Sequence, residues 1–140
     1  MPPEPLLANQ QEIVMQVDSA KTILIADDEE DLRLLVQVTL ENPSYHILTA
    51  VDGCRALEAI HARIPDLLIL DWMMPGLNGC QVVKLLRQNP HTARIPIVML
   101  TAKDGIESRK QMASLDLAGY LVKPFSPLEL IQKVREVLTP

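Results

Sequence analysis

LLILD at residues 67–71 is a short apolar run that ends in a carboxylate, Asp71. Short continuous apolar runs bounded by polar residues are typical of buried parallel strands. Three other runs show the same pattern: TILIA at 22–26 before Asp27 and Asp28, IVML at 97–100 before Thr101, and YLV at 120–122 before Lys123. The carboxyl ends of parallel strands meet in one crevice, so these polar side chains are expected to lie together.

Strand and helix patterns alternate along the chain after Thr22. The expected strands cover residues 23–26, 45–50, 66–70, 95–100 and 118–122. The expected helices cover 29–41, 53–63, a segment capped by Asn78, 105–114 and 126–138. This alternation predicts an α/β fold with a five-stranded parallel sheet and helices on both faces. Right-handed crossovers and the more polar second strand favour the order 2-1-3-4-5, a doubly wound, flavodoxin-like arrangement.

Residues 1–20 form an N-terminal extension, and residues 21–140 form one domain without a visible linker. Two interpretations of the extension stay open: a flexible tail, or a short helix that begins near Pro5. Such a helix would place five aliphatic side chains on one face: Leu6, Leu7, Ile13, Val14 and Val17. It would dock on the domain or pair with a second subunit, so a homodimer is one candidate assembly. An output domain beyond Pro140 is a further expectation that the sequence leaves open.

The composition narrows the class of partner. The chain has 140 residues, is 48% hydrophobic and carries a net charge of −5. This balance argues against a general nucleic-acid-binding surface, which needs clustered Lys and Arg. No apolar run approaches the ~20 residues of a membrane span. Cys54 and Cys80 form no metal-binding pattern, and we interpret them as reduced thiols of a cytoplasmic protein.

The expected crevice holds three carboxylates, one hydroxyl and one ammonium group. Carboxylates held close together repel one another, and a cation relieves the repulsion. Oxygen ligands without His or Cys nearby indicate Mg²⁺ or Mn²⁺ rather than zinc. Asp71, alone at the end of a central strand, is the best candidate nucleophile for forming an acyl phosphate. Lys123 and Thr101 would then contact the phosphoryl oxygens.

Each of these residues also has a purely structural interpretation. Asp27 and Asp28 precede a helix, where acids complement the helix dipole. A single Asp after a strand, such as Asp71, is commonly a helix-capping or turn residue. A single Thr such as Thr101 commonly stabilises a turn with its hydroxyl, and Lys123 alone would be a solvated loop residue. The functional interpretation rests on their combination, because all of them fall at strand ends on the same side of one predicted sheet.

The four regions together resemble the receiver domain of two-component response regulators, over about residues 21–139. The matching stretches are ILIADD at 23–28, LILDWMMPG at 68–76, VMLTA at 98–102 and YLVKPF at 120–125. The resemblance implies a signalling domain rather than an enzyme. Its partners would be a sensor histidine kinase or a histidine phosphotransfer protein, and a downstream target at the face of helices 105–114 and 126–138.

The resemblance also implies a role for each site residue. Asp71 would accept the phosphoryl group. Asp28, Asp71 and the Met73 carbonyl would ligate Mg²⁺ directly, with Asp27 acting through water. Thr101 and Tyr120 match the switch pair of the family, and the Lys123–Pro124 peptide would be cis.

Two other functions remain open at this stage: a receiver-like docking domain that ignores phosphate, and an Asp-nucleophile phosphatase of the haloacid dehalogenase type. The motif of those phosphatases has a second Asp two residues after the nucleophile, and this chain has Met73 at that position. Met73 and Lys103 flank the site, and two interpretations of them stay open. They either modulate the lifetime of the phosphoryl group, or Met73 packs on a neighbour and Lys103 is solvated.

Overall fold

All four apolar runs form strands, and a fifth strand is the more polar one. The computed structural model describes residues 20–102 and 110–139. The strands are β1 (Lys21–Ala26), β2 (Tyr45–Ala50), β3 (Leu67–Asp71), β4 (Ile97–Ala102) and β5 (Gly119–Lys123). The helices with complete bounds are α1 (Glu30–Thr39), α2 (Gly53–Ala62), α3 (Gly79–Gln88) and α4 (Pro127–Leu138). Residues 110–112 are also helical, but most of the expected helix 105–114 lies outside the described residues, as does the extension up to residue 19.

The five strands form one parallel sheet in the order β2-β1-β3-β4-β5. The predicted order 2-1-3-4-5 is therefore confirmed, and β2 lies at an edge as its polarity indicated. Central β3 is buried over its whole length, which a sheet covered on both faces requires. The register places Asp71 opposite Leu100 and Thr101 opposite Val122, so the polar strand ends lie along one edge.

Side chains alternate between the two faces of the sheet and build two cores. One core packs Leu68, Leu70 and Met99 against residues of α2 and α3. The other packs Ile69, Leu100 and residues of α1 and α4. With only 3% aromatic residues, aliphatic side chains fill most of both cores.

Three of the predicted helix starts are confirmed by hydrogen bonds. The Asp52 carboxylate accepts from the Arg55 amide at 2.7 Å. Asn78 with Gln81, and Ser126 with Glu129, form reciprocal capping boxes at the starts of α3 and α4. The Lys123–Pro124 peptide is cis, as the resemblance implied.

Four strands differ from the predicted bounds by one or two residues, and the later start of β4 has a clear reason. The apolar run begins at Ile95, but β4 begins at Ile97. Pro96 lies between them and has no amide hydrogen to donate to a neighbouring strand. Its carbonyl still accepts from the Leu68 amide at 3.0 Å, so the chain is already aligned with β3. None of the helices in the described ranges is long and apolar enough to cross a membrane.

Candidate functional site

Three aspartates converge at the carboxyl end of the sheet. One carboxylate oxygen from each of Asp27, Asp28 and Asp71 lies within 4.8 Å of the other two. Asp27 is fully buried and Asp71 is 4% exposed, whereas Asp28 is exposed. The cluster therefore has a closed inner side and an open outer side, through which a ligand can enter.

Asp27 is held by contacts on every side of its backbone and side chain. Its amide donates to the Ala50 carbonyl of the edge strand at 3.2 Å. Its Oδ1 accepts from the Glu29 amide at 2.9 Å, and its carbonyl accepts from the Arg33 guanidinium at 2.7 Å. Glu29 is the N-cap residue of α1 but forms no capping hydrogen bond with its own side chain, and its amide is bound by the Asp27 carboxylate instead. Asp27 thus joins α1 to the site.

Asp71 is positioned by the close approach of α3 to the end of β3. The Gly79 amide donates to the Trp72 carbonyl at 2.9 Å. A Cβ at Gly79 would lie 2.6 Å from the Asp71 carbonyl oxygen and 2.9 Å from the Met99 sulfur. A larger residue at position 79 would displace the backbone that carries Asp71. The Met73 amide donates a long hydrogen bond to Asp71 Oδ1, at 3.3 Å.

Lys123 bridges the two buried carboxylates. Its Nζ lies 3.1 Å from Asp27 Oδ2 and 3.2 Å from Asp71 Oδ1. Burial by itself would lower the pKa of Lys123, but the attraction of Asp71 and Asp27 outweighs it and raises that pKa. The ammonium group therefore stays charged and faces the site rather than solvent.

The pKa of Asp71 is raised to about 6. Burial is the main cause and the negative charge of Asp27 the second, while the nearby Lys123 acts in the opposite direction. Three carboxylates against one ammonium leave a surplus of negative charge, so Asp71 is the group that resists ionisation when no further cation is present. This surplus is what a divalent cation would neutralise.

The remaining predicted residues lie around this cluster at different distances. Thr101, 1% exposed, is one residue past the partner of Asp71 on β4. Within the described residues, its hydroxyl donates a long hydrogen bond to the Ala102 carbonyl, at 3.4 Å. Tyr120 is 43% exposed and lies three residues before Lys123 on β5, about 10 Å along the strand. The structure therefore brings Thr101 to the cluster edge and leaves Tyr120 outside the cluster.

Met73 is 69% exposed beside the site, so its side chain does not pack into the core. This exposure argues against the interpretation in which Met73 packs on a neighbour. Lys103, the other flanking residue, lies outside the described residues.

Sequence reasoning missed two residues that complete the geometry. Glu29 Oε1 lies 3.8 Å from Lys123 Nζ and adds a weak, exposed ion pair. Arg33 ties α1 to the Asp27 carbonyl. Its spacing carried a usable signal, because position 33 is four residues after position 29 and faces the same way on a helix.

The donor set fits a hard divalent cation. Among the described residues, the cluster consists of three carboxylates and contains neither His nor Cys. Such ligands suit Mg²⁺, which binds through one or two carboxylates and retains waters. The exposed Asp28 lies on the open side, where coordinated water has room.

Comparisons with known proteins agree with this geometry. A family model described as "Response regulator receiver domain" matches residues 23–135. The phosphate regulon transcriptional regulatory protein PhoB of Pseudomonas aeruginosa is 42% identical over 118 residues, covering 84% of this chain and 52% of that protein. The alkaline phosphatase synthesis transcriptional regulatory protein PhoP of Bacillus subtilis is 43% identical over 120 residues, covering 84% and 48%.

The fold comparison leads to the same family. The crystal structure of a putative response regulator from Chloroflexus aurantiacus has a TM-score of 0.81 and 35% identity, covering 86% of this chain and 99% of that one. The chain spans about half the length of the curated relatives it matches. On the matched residues, the strand order and the acidic crevice, the chain belongs to the family of response regulator receiver domains.

Proposed function

We propose that this domain is a phosphorylation-controlled signalling module in which Asp71 accepts a phosphoryl group from a phosphohistidine. The donor would be a sensor histidine kinase or a histidine phosphotransfer protein. The observation that carries the proposal is the placement of Lys123 Nζ, 3.2 Å from Asp71 Oδ1, within a cluster of three carboxylates. This arrangement combines a nucleophile, a fixed cation and a site for a second cation.

Asp71 suits the role of acceptor because of its position and its ionisation. It is central in the sheet, and the other buried carboxylate, Asp27, already accepts hydrogen bonds from the Glu29 amide and from Lys123. With a pKa of about 6, most Asp71 side chains are ionised at pH 7 and able to attack phosphorus. In the step, an Asp71 oxygen forms a bond to phosphorus while the phosphorus–nitrogen bond of the donor breaks. The departing imidazole nitrogen keeps the bonding electrons, and because the other ring nitrogen of the phosphohistidine carries a proton before transfer, the imidazole leaves as a neutral ring.

We assign the metal site to Asp28, Asp71 and the Met73 carbonyl, with Asp27 acting through water. Bound Mg²⁺ would neutralise charge on the transferring phosphoryl group. Lys123, already charged and held by Asp27, would contact one phosphoryl oxygen. The Thr101 hydroxyl, whose hydrogen bond to the Ala102 carbonyl is long at 3.4 Å, would donate to another.

The proposed output is a change at the face formed by β5, α4 and the helical residues near 110. Movement of Thr101 toward the phosphoryl group would open space for Tyr120 to turn inward. A downstream target would bind this face, and a second copy of the chain is one candidate. The free thiols of Cys54 and Cys80 fit the cytoplasmic location expected from the sequence.

The test is phosphorylation by acetyl phosphate in the presence of Mg²⁺, followed by intact mass measurement. The parent chain should gain one phosphoryl group that alkali and hydroxylamine release, and chelation of Mg²⁺ should prevent the gain. Asp71→Asn should gain none. The matched control is Asp31→Asn, which neutralises an exposed acid at the start of α1 and should behave like the parent.

Two outcomes would contradict the proposal. One is labile phosphate on Asp71→Asn at the level of the parent. The other is a folded parent chain that gains no phosphoryl group under these conditions, which would favour a docking domain that ignores phosphate.

A further inference from the structure

The surface at the free edge of the sheet contains an apolar groove that the phosphorylation site does not use. Its volume is about 610 Å³, and residues of α1, of the following turn and of β2 line it. Leu34 and Val38 are 57% and 62% exposed there and lie four residues apart, hence on one side of α1. Tyr45 and Ile47 form the opposite wall. Exposed aliphatic side chains beside an apolar groove make this face a candidate docking surface.

The position of the groove relative to the chain indicates which segment reaches it. Lys21, the first residue of β1, pairs with Tyr45 of the groove wall, and its amide donates to the Ser44 carbonyl at 2.9 Å. The chain before Lys21 therefore enters the domain one strand spacing, about 5 Å, from the groove. A second apolar groove beside α1 includes Lys123 and Phe125. It lies toward the carboxyl end of the sheet, a strand length of ~20 Å from this entry point.

The sequence of that preceding segment complements the groove. Leu6, Ile13, Val14, Val17 and Leu7 would lie within about 120° of arc on a helix, which is the width of a stripe that packs on a domain. A helix over residues 5–17 would be ~20 Å long. It would cover the groove wall from Leu34 on α1 to Glu41 in the following turn, a length of ~10 Å. Val17 is four residues before Lys21, so a single turn suffices to bring the stripe back onto the groove.

We propose that residues 5–17 form an amphipathic helix that docks in cis on the groove between α1 and β2. A free helix of this length is marginally stable in water, and docking of its apolar face supplies the missing stabilisation. Attachment four residues away gives the segment a high effective concentration at the groove, so a contact too weak for a separate peptide is sufficient. The docked helix also covers the outer side of β2, the edge strand nearest the chain entry.

The test measures amide hydrogen exchange of residues 6–17 in the full 140-residue chain by mass spectrometry. Docking should slow exchange at least about fivefold relative to a free peptide of the same sequence. Ile13→Ser should abolish this protection, because it removes an aliphatic group from the stripe. Met15→Ser should leave the protection unchanged, because Met15 lies on the opposite side of the same helix.

A second pair of variants tests the groove itself. Val38→Ser should reduce the protection of residues 6–17, whereas Val51→Ser should not. Val51 is 49% exposed and does not line the groove, so this pair compares the same substitution at two exposed valines. Gln10 interrupts the predicted stripe, and Gln10→Leu should increase the protection. Val38 and Val51 are exposed, so their substitution should retain the fold, and the thermal unfolding of every variant is compared with that of the parent as a check.

Three results would overturn the proposal. The first is exchange of residues 6–17 in the parent as fast as in the free peptide. The second is equal protection in Ile13→Ser and Met15→Ser, or in Val38→Ser and Val51→Ser. The third is protection that rises with protein concentration over a range on the order of tenfold, which would assign the groove to a second copy of the chain.

Discussion

The two ends of the sheet each hold a cation, and the two cations have different surroundings. At the amino end, the Arg87 guanidinium donates to the carbonyls of Ala93, Ile95 and Asp116, at 2.8–2.9 Å. At the carboxyl end, Lys123 contacts the carboxylates of Asp27 and Asp71. Carbonyls are neutral, permanent partners, whereas carboxylates change their charge and exchange partners.

This difference separates a structural cation from a functional one. Arg87 joins the end of α3 to the chain entering β4 and to the loop before β5. Its contacts are part of the folded backbone and do not depend on a ligand. Lys123 is one cation among three carboxylates, so the carboxyl end of the sheet keeps an uncompensated negative charge. This charge can bind a metal ion, which phosphoryl transfer to Asp71 would require. We expect substitutions at the two ends to affect different measurements.

The largest effect is expected for Lys123→Ala. Removing the ammonium group takes away the fixed positive charge beside Asp71, and a single electrostatic group of this kind contributes on the order of 100-fold to a rate. The rate of phosphorylation by acetyl phosphate, followed by intact mass, should fall by about that factor. Lys133→Ala is the control, because Lys133 pairs with Glu136 of α4 and is not one of the described partners of the acidic cluster. Equal rates in the two variants would show that Lys123 has no role in the transfer.

The second effect concerns pH and the free energy of unfolding without divalent metal. Asp71 has a pKa of about 6 when folded and about 3.9 when unfolded, so the folded state binds more protons between these values. Stability contributed by this group therefore falls as the pH rises from about 4 to about 6. Asp71→Asn has no such loss. It should match the parent near pH 4 and exceed its stability at pH 7, by at most about 3 kcal/mol.

Urea unfolding of both chains at several pH values, with a chelator present, tests this expectation. Adding Mg²⁺ should narrow the difference at pH 7, because binding stabilises the parent. A stability difference that is constant from pH 4 to pH 7 would argue against a raised pKa at Asp71.

The third effect belongs to the other end of the sheet. Arg87→Ala removes three charge-assisted hydrogen bonds and should lower the free energy of unfolding by about 2–3 kcal/mol. Solvation of the freed carbonyls limits the loss. Arg94→Ala, at an exposed neighbouring position, should have little effect. The phosphorylation rate of the folded Arg87→Ala chain should stay at the parental value. A reduced rate in fully folded protein would mean that the two ends are coupled.

The same contrast shows what the sequence could predict. Each apolar run ended at a polar side chain, and parallel strands place those ends at one edge, so the convergence of Asp27, Asp71 and Lys123 followed from topology alone. The role of each residue stays a prediction. The distances did not follow from the sequence, because they depend on how close α3 comes to β3 at Gly79. The contacts of Arg87 were missed as well, since backbone carbonyls leave no trace in a residue pattern.

The smallest effect concerns the lifetime of the phosphoryl group. Its hydrolysis requires a water molecule in line with the departing Asp71 oxygen. Met73, 69% exposed beside the site, offers that water no hydrogen bond and can cover its approach. Lys103 carries a positive charge that would favour the phosphorylated state. The double variant Met73→Asn with Lys103→Glu should therefore lose phosphate about fivefold faster, which corresponds to one hydrogen bond of ~1 kcal/mol.

The decay of the purified phosphorylated chains, measured by intact mass, tests this. The control is Met15→Asn with Lys110→Glu, which makes the same two changes outside the four sequence stretches that carry the site residues and should decay like the parent. An equal or slower loss in the double variant would show that these two positions do not limit access of water to Asp71.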